Sequence, residues 1–493
     1  MIQELIKIHD RFRFEMKLGY MADWTKKDTA YNIETYFFIP HSLDINRETY
    51  SKRDFYDDLQ TYIRFKTPVY GLQNILSGPD NPYEKLRTSF QNLVLQPSKQ
   101  NILQYKNTIR MFCCIFKSSL RDHVFSFSAR SNLKEMNDRL SRYPGCVKEI
   151  ASRYRELNKQ LNISAMDEKL FSIYLFGDEY ISLLIEKYSY DILEKIREAE
   201  FPEKDKNKKD LLEVIQSEIH YRKKNNFRSI PDENSTNEQL VFRKGVLKKY
   251  MESVLFLKTR TEREGRFLEQ VLFGVAAGFS MLFATGIAYY SQYKYGTFTM
   301  PVFFALVVSY MFKDRIKELM RYYFNKKIHG SLFDHKTDIY CGPEEKIGWC
   351  KESFDFVKHT SIPDSIRKAR NIDRITEIED SWFREKVGLY RESIRIFPDK
   401  IKKIYGDFTL EGINDIMRFN ISKFLLKMDN PKKRMYIPDE DGYHKIYATR
   451  VYHMNLIIKY STRSKEFYNR FRIVFNRDGL QRIEEINLNK TGL

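Results

Sequence analysis

The feature of this sequence that most constrains its fold is a pair of uncharged, mostly apolar runs in the middle of the chain. The runs cover Gln270–Tyr290 and Tyr295–Phe312, and the four residues Ser291–Lys294 separate them. At about 1.5 Å of rise per helical residue they would reach roughly 31 and 27 Å, close to the ~30 Å hydrocarbon core of a bilayer. The sequence therefore predicts a two-helix transmembrane hairpin.

Basic residues flank both runs on their outer sides, whereas the segment between the runs carries only Lys294. The basic residues nearest the runs are Arg263, Arg266, Lys313, Arg315, Lys317 and Arg321. By the positive-inside rule, both termini are expected in the cytoplasm of a multi-pass cell-membrane protein. The competing interpretation is a buried helical hairpin in a soluble core, although core helices usually carry a polar stripe.

The chain is strongly basic, with a formal net charge of +18 and a pI near 9.3. Nucleic-acid binding is not expected, because no helix-turn-helix, zinc-finger or RNA-binding signature accompanies the charge. Anionic lipid headgroups explain the clusters beside the runs more simply, at about 1 kcal/mol per Lys or Arg near the surface. The expected partners are therefore an anionic bilayer, an unknown protein and possible further copies of this chain.

Small residues recur along one face of the first run. Gly274, Ala277, Gly278 and Thr285 form a small-xxx-small pattern, which lets another helix approach closely. The sequence predicts that this face packs in the membrane against the second run or against another protomer.

The soluble parts are predicted to be α+β. Alternating apolar residues predict an antiparallel strand pair at Arg11–Tyr20 and Tyr31–Ile39, and helical spacing predicts helices in segments that include 102–120, 146–161, 168–196, 361–378 and 413–427. Three C-terminal strands are predicted at 450–460, 467–475 and 480–486, the last two joined by an Asn-Arg-Asp-Gly turn. We expect the strands of both chain ends to form one small antiparallel sheet beside a mostly helical cytoplasmic region.

Changes in composition and periodicity divide the chain into six predicted regions. In order they are an N-terminal α+β region (1–200), a charged linker with a basic helix (201–266), the transmembrane hairpin (267–312), a juxtamembrane helix (313–330), a helical region (331–435) and a C-terminal β meander (436–493).

The C-terminal strands also carry a candidate binding surface. Arg470 and Arg472 alternate with Phe471 and Ile473, which predicts that the two arginines share one face of a strand. That face could bind lipid headgroups or a phosphate-bearing partner. The alternative is an ordinary solvated sheet face.

Residues capable of acid–base or metal chemistry form no recognisable motif. Five potential metal ligands lie close in sequence after the second run, namely His329, Asp334, His335, Asp338 and Cys341. Cys350 and His359 follow further along the chain. Their spacing matches no zinc or calcium pattern, so we expect no metal and no cofactor. Neighbouring acids such as Asp178 and Glu179 are interpreted as solvent-facing.

The leading functional hypothesis is therefore a membrane-anchored cytoplasmic binding, scaffolding or signalling protein without recognisable catalytic chemistry. The first alternative is an oligomeric transmembrane effector that perturbs the bilayer when its cytoplasmic domain is triggered. The second is an enzyme with an unrecognised site, in which substitution of His335 or Asp338 would abolish an activity.

Overall fold

A computed structural model describes residues 2–488 except 79, 128–132, 161–167, 198–203, 298, 330–332, 343–344, 371–384, 405–407, 409, 441, 462–465 and 487. The chain forms two compact units. The unit that we call the sheet unit comprises Met1–Ile63, Leu257–Lys400 and Asn414–Leu493, and the helical unit comprises Arg64–Phe256 and Ile401–Ile413.

The largest element of the sheet unit is an eight-stranded sheet in which each of the neighbouring pairs described is antiparallel. In spatial order its strands are β14 (Gly479–Ile486), β13 (Glu466–Asn476), β12 (Tyr452–Ser461), β3 (Thr29–Ile39), β8 (Lys386–Ile396), β7 (Glu345–Val357), β6 (His335–Cys341) and β5 (Lys258–Arg263). The β3–β12 pairing joins the N-terminal part of the chain to the C-terminal strands, with Phe38 opposite Asn455.

A second, four-stranded sheet has the order β1 (Ile2–Ile8), β2 (Arg13–Met21), β9 (Gly412–Asn420) and β4 (Leu59–Phe65). A separate two-stranded ribbon consists of β10 (Lys432–Asp439) and β11 (Gly442–Thr449). Aromatic rings fill the space between the two larger sheets: the Phe419 ring of β9 lies 5.5 Å from Phe14 and 5.6 Å from Phe37. This packing explains why alternate residues of β3 and β9 are apolar.

Short helices that accompany these sheets are α1 (Lys52–Asp58), α10 (Asp364–Arg370) and α12 (Ser422–Leu425). Helix α1 begins with a capping box, in which the Ser51 side chain accepts from the Asp54 N–H and the Asp54 side chain accepts from the Ser51 N–H. Phe55 of α1 stacks on Phe354 of β7 at 3.8 Å between ring centroids. The cap and the stack fix α1 against the eight-stranded sheet.

The helical unit contains helices α2 (Pro82–Leu95), α3 (Lys99–Phe125), α4 (Leu133–Glu156), α5 (Glu168–Ile196), α6 (Lys204–Lys224) and α7 (Glu238–Glu252), and α11 (Pro398–Ile404) connects the units. Its core is a continuous apolar cluster around α3 and α5. The prediction that Asp178 and Glu179 face solvent is wrong, since both are buried in α5. Arg155 lies 3.1 Å from Asp178, and Arg243 lies 2.6 Å from Glu179.

Helices α8 (Arg266–Tyr295) and α9 (Met300–His329) belong to the sheet unit and pack against each other. The chain enters α8 through Gly265, whose φ of +81° favours glycine, and leaves it at Gly296 with φ +75°. The strands on either side of the pair are neighbours, because Arg263 at the end of β5 lies opposite His335 at the start of β6. The pair therefore leaves from and returns to one edge of the eight-stranded sheet.

The prediction of a two-helix transmembrane hairpin is wrong. Among the residues that the structure describes, one helical segment, Glu269–Tyr295, is long and apolar enough to cross a membrane. The predicted loop at 291–294 is helical, and α9 begins only at Met300. The apolar part of α9 then ends at Phe312, so its 13 residues rise only about 20 Å.

The register of the pair gives a second reason for this correction. The Arg321 guanidinium lies over the Phe273 ring, 4.3 Å from its centroid. The charged half of α9 therefore runs beside the apolar first half of α8, and the two apolar runs do not lie side by side along their whole length. If both helices crossed the bilayer side by side, those charges would lie at hydrocarbon depth, where each is costly.

The predicted small sheet is also wrong, because the structure is 51% helix and 29% strand with an eight-stranded sheet. That sheet includes β6, β7 and β8, which come from the region predicted to be helical. It also contains β3, whereas β2, the predicted partner of β3, belongs to the four-stranded sheet. Residues 412–420 form β9 where a helix was predicted at 413–427. The predicted helix at 361–378 corresponds to α10, and its part beyond Arg370 lies outside the described residues.

Candidate functional site

Helices α8 and α9 expose an apolar surface that we call the α8–α9 apolar surface. Phe279, Leu282 and Phe304 are 57%, 68% and 62% exposed. The other large members, all exposed, are Val271, Val275, Met281, Phe283, Met300, Phe303, Val307, Val308, Met311 and Phe312. Soluble proteins rarely expose contiguous apolar patches larger than a few hundred Å², so a surface of this kind indicates a site of interaction.

The seam between the two helices uses small side chains. Ala276, Ser280 and Ala284 of α8 are buried, as are Val302 and Ser309 of α9. Their spacing of four residues along α8 places them on one helical face, and their size lets the helices approach closely.

The predicted packing residues lie on a different face. Gly274, Gly278 and Thr285 are exposed, and Ala277 is half-buried. A Cβ added at Gly274 or Gly278 would meet no atom within 4 Å. These residues therefore do not form the seam with α9, and their contact with a helix outside this chain stays a prediction.

The basic residues predicted to meet anionic lipid flank the apolar parts of α8 and α9 in the sequence. Arg263 and Arg266 precede α8, and Lys313, Arg315, Lys317 and Arg321 lie on α9 directly after its apolar part. The Arg263 side chain is 58% exposed and pairs at 3.1 Å with Glu269, which is 16% exposed, while Arg315 is 79% exposed and pairs at 3.7 Å with the exposed Glu318. Exposed ion pairs such as Arg315–Glu318 contribute little, so Arg315 keeps most of its attraction for an external anion.

The second predicted basic surface is not formed. Arg470 is fully buried: its guanidinium donates to the Asn455 side chain at 2.9 Å and to the Ala369 carbonyl at 3.1 Å. Arg472 lies on the same face and donates to Glu484 at 3.4 Å. Arg470 and Arg472 share one face of β13, as the alternating pattern predicted. Helix α10 covers this face of the sheet, so Arg470 is inaccessible to lipid.

A pocket of about 810 Å³ opens in the sheet unit next to the start of α8. Its lining includes Lys52 and Tyr56 of α1, Glu269 of α8, and Asp334 and His335 at the start of β6. Asp334 accepts hydrogen bonds from Lys52 Nζ at 2.7 Å, the Tyr56 hydroxyl at 3.0 Å and the Phe354 N–H at 2.9 Å. Three donors thus hold this carboxylate in place.

His335 connects the pocket to the interior of the sheet unit. Its Nδ1 lies 3.9 Å from Glu352 Oε1, and its ring packs edge-on against Tyr56 at 4.4 Å. The Tyr390 hydroxyl donates to Glu352 at 2.8 Å. Burial raises the pKa of Glu352, and the nearby Asp334 charge raises it further. The geometry provides a histidine, a partly buried carboxyl group and a pocket in one place.

Only two of the five ligand-type residues singled out in the sequence line this pocket. Asp334 and His335 do so, whereas Asp338 pairs with Lys346 at 2.6 Å and Cys341 is buried. The side chain of His329 lies outside the described residues. Sequence reasoning missed Tyr56 and Glu352, because they come from distant segments that only the fold brings together.

Comparisons of this chain with protein-family models, with curated proteins and with solved structures find no match. The functional argument therefore rests on the geometry described above.

Proposed function

We propose that this chain is a membrane-associated binding protein. The α8–α9 apolar surface is in contact with lipid, which holds the sheet unit and its pocket beside a membrane surface. The observation that supports this proposal is the exposure of Phe279, Leu282 and Phe304, each more than half accessible on a pair of helices where exposed apolar side chains are concentrated.

The size of the exposed surface supports an apolar environment. A buried aromatic side chain covers about 150–250 Å², so Phe279, Phe303 and Phe304, which are 57%, 58% and 62% exposed, present on the order of 300 Å² together. At about 25 cal/mol per Å², covering these three rings alone would contribute roughly 7–8 kcal/mol. A helix that is apolar on all sides, as α9 is over Met300–Phe312, belongs in such an environment.

The charge pattern favours lipid over a protein partner as the covering material. Lys313 directly follows Phe312, the last residue of the apolar part of α9, and residues 313–321 carry four cations against the two acids Asp314 and Glu318. Cations at the edge of an apolar surface meet the phosphates of anionic headgroups when that surface enters the bilayer. The apolar part of α9 rises about 20 Å, which exceeds one leaflet of a ~30 Å core and falls short of a complete span.

Vesicle flotation tests the proposal with the purified full chain. We expect the wild-type chain to float with anionic vesicles in a density gradient after detergent removal. The double variant Phe279→Asp/Phe304→Asp is expected to stay at the bottom, because two charges would have to enter lipid. Phe125→Asp is the matched control, since Phe125 is 68% exposed at the end of α3 in the other unit. A monodisperse wild-type chain that ignores vesicles would contradict the proposal.

The same vesicles, loaded with a fluorescent dye, separate binding from membrane disruption. Flotation with full retention of dye supports a binding protein. Dye release by the wild-type chain, lost in Phe279→Asp/Phe304→Asp, would instead support the effector alternative.

A further inference from the structure

Three strands of the sheet unit, β7, β8 and β9, bring a thiol and three carboxyl groups together in its interior. Glu352 of β7 lies directly opposite Glu392 of β8 in the antiparallel ladder. Because successive side chains of a strand alternate between faces, Cys350 lies on the same face as Glu352. Asp415 comes from β9 in the four-stranded sheet. Like charges directly opposite each other destabilise a sheet, so this arrangement needs a compensating group.

Three of these residues converge on one point. The Cys350 sulfur, one Glu392 oxygen and one Asp415 oxygen all lie within 4.8 Å of one another, and the three residues are only 5%, 2% and 2% exposed. Metal–ligand bonds of about 2.0–2.3 Å place two donors around one ion at most about 4.6 Å apart. The cluster is therefore compact enough for small rearrangements to place a single ion at its centre.

An independent observation also points to a missing partner at this place. The Tyr20 hydroxyl of β2 is completely buried, and no described residue forms a hydrogen bond with it. Glu392 Oε2 and Asp415 Oδ1 likewise lack a hydrogen-bond partner among the described residues. Tyr20 lies on β2, the strand next to β9 in the four-stranded sheet, and β9 carries Asp415. Buried polar atoms are nearly always satisfied, by protein, water or an ion.

We propose that Cys350, Glu392 and Asp415 bind one divalent metal ion, with Zn²⁺ as the best match. Mg²⁺ and Ca²⁺ prefer oxygen ligands, so a thiolate ligand makes their binding unfavourable. Zn²⁺ binds sulfur and carboxylate oxygen in the same site. Because β7 and β8 belong to one sheet and β9 to the other, the ion links the two sheets through the core of the sheet unit.

Cobalt binding to the full chain tests this site without any assumption about activity. After removal of bound metal with a chelator, titration with Co²⁺ is expected to produce a thiolate-to-cobalt charge-transfer absorption at one ion per chain. Cys350→Ser is expected to lose that absorption and to keep weaker visible bands from the remaining oxygen ligands. Cys146→Ser is the matched control, since Cys146 is a half-buried thiol of the helical unit and should leave the spectrum unchanged.

Zinc binding and thermal stability provide the second measurement. We expect Zn²⁺ to raise the melting temperature of the wild-type chain, because the ion binds the folded ligand set. Glu392→Gln and Asp415→Asn are each expected to weaken Zn²⁺ binding by more than about 100-fold. Losing a residue that only hydrogen-bonds to a metal ligand typically costs about 10–100-fold, and losing a ligand itself should cost more. If these variants fail to fold, the Co²⁺ titration and metal content of the wild-type chain decide.

A shared proton between Glu392 and Asp415 is the competing explanation. It predicts no stoichiometric Co²⁺ absorption, a melting temperature that Zn²⁺ does not change, and an Asp415→Asn chain at least as stable as the wild type. Those results would overturn the metal site, and they would leave the lipid proposal untouched, because that proposal depends on α8 and α9.

Discussion

Helices α5 and α8 are both long and rich in apolar residues, yet they occupy opposite environments. In α5, Ile181 and Ile185 are 0% and 1% exposed within the core of the helical unit. In α8, Phe279 and Leu282 are 57% and 68% exposed. Apolar content alone therefore does not decide whether a helix is covered by protein.

The polar residues of the two helices explain the difference. Helix α5 carries Asp178, Glu179 and Glu186, and each of these acids pairs with an arginine outside the helix, namely Arg155, Arg243 and Arg222. The central polar groups of α8 are satisfied within the helix, since Ser280 donates to the Ala277 carbonyl and Thr285 to the Met281 carbonyl, both at 2.8 Å. Internal satisfaction of polar groups is what a helix in contact with lipid requires.

The largest expected effect comes from removing one partner of a buried pair in the helical unit. Arg222 is fully buried and pairs with Glu186, and its guanidinium also donates to Ser182 Oγ at 2.8 Å. Arg222→Ala should lower the free energy of unfolding by about 3–5 kcal/mol, because the buried Glu186 charge then keeps only its longer pair with Lys244, at 3.7 Å. Urea denaturation followed by circular dichroism measures this loss. Arg139→Ala, which removes an exposed pair with Glu135, should cost only about 0.3–0.5 kcal/mol.

A matched pair of apolar truncations tests the comparison directly. Ile185→Ala in α5 should cost about 2–5 kcal/mol of folding stability, because it leaves a cavity in a packed core. Leu282→Ala in α8 should change folding stability by less than about 0.5 kcal/mol in water, since its side chain is exposed. With vesicles present the order reverses, and Leu282→Ala should weaken binding by about 2 kcal/mol, roughly 30-fold. Equal loss of folding stability for both variants would contradict the comparison.

The helical unit also disfavours the charged form of one of its side chains, His123. Burial, with a smaller contribution from Arg139, lowers the pKa of His123 to about 4. Because the ordinary pKa of histidine is about 6.5, the imidazole is protonated at higher pH in the unfolded chain than in the folded chain. The free energy of unfolding is therefore highest above about pH 6.5 and decreases as the pH falls towards 4. After allowance for partial exposure, the loss should be about 1–2 kcal/mol. His123→Phe keeps the ring stacked on Tyr143 and should remove this component from a series of urea denaturations at different pH.

The smallest expected effect concerns the cations beside the α8–α9 apolar surface. Lys313→Gln and Lys317→Gln should each weaken binding to anionic vesicles by about 1 kcal/mol, roughly five-fold. Vesicles without anionic lipid, or high salt, should abolish the difference. Lys187→Gln in α5 removes a side chain that is 61% exposed and serves as the control. An equal loss for all three variants would indicate a nonspecific charge effect.

Local periodicity predicted much of the secondary structure. The helical spacing at 168–196 corresponds to α5, and the turn at Asn476–Gly479 joins β13 to β14 as predicted. These segments are determined by interactions between residues that are close in the chain, and such interactions can be recognised in a single sequence. The position of the turn after α8 was wrong because Ser291–Lys294 continue the helix, and Gly296 with its positive φ ends it.

Long-range arrangement could not be predicted in the same way. Residues 412–420 alternate in part and also fit a helical pattern, and only their place between β2 and β4 makes them a strand. The cluster of Cys350, Glu392 and Asp415 was missed for a related reason. Its members lie on three strands separated by dozens of residues, so no spacing within the sequence identifies them.

Fluorescence of a single tryptophan introduced as Phe304→Trp tests the central claim most directly. The signal is the difference from the wild-type chain, which has three tryptophans, and Phe125→Trp in the helical unit is the control. Addition of anionic vesicles should shift the emission of Trp introduced at position 304 to shorter wavelength, and brominated acyl chains should quench it, with no change for the control. Emission that stays at the wavelength of a water-exposed tryptophan and is not quenched would show that the α8–α9 apolar surface does not enter lipid.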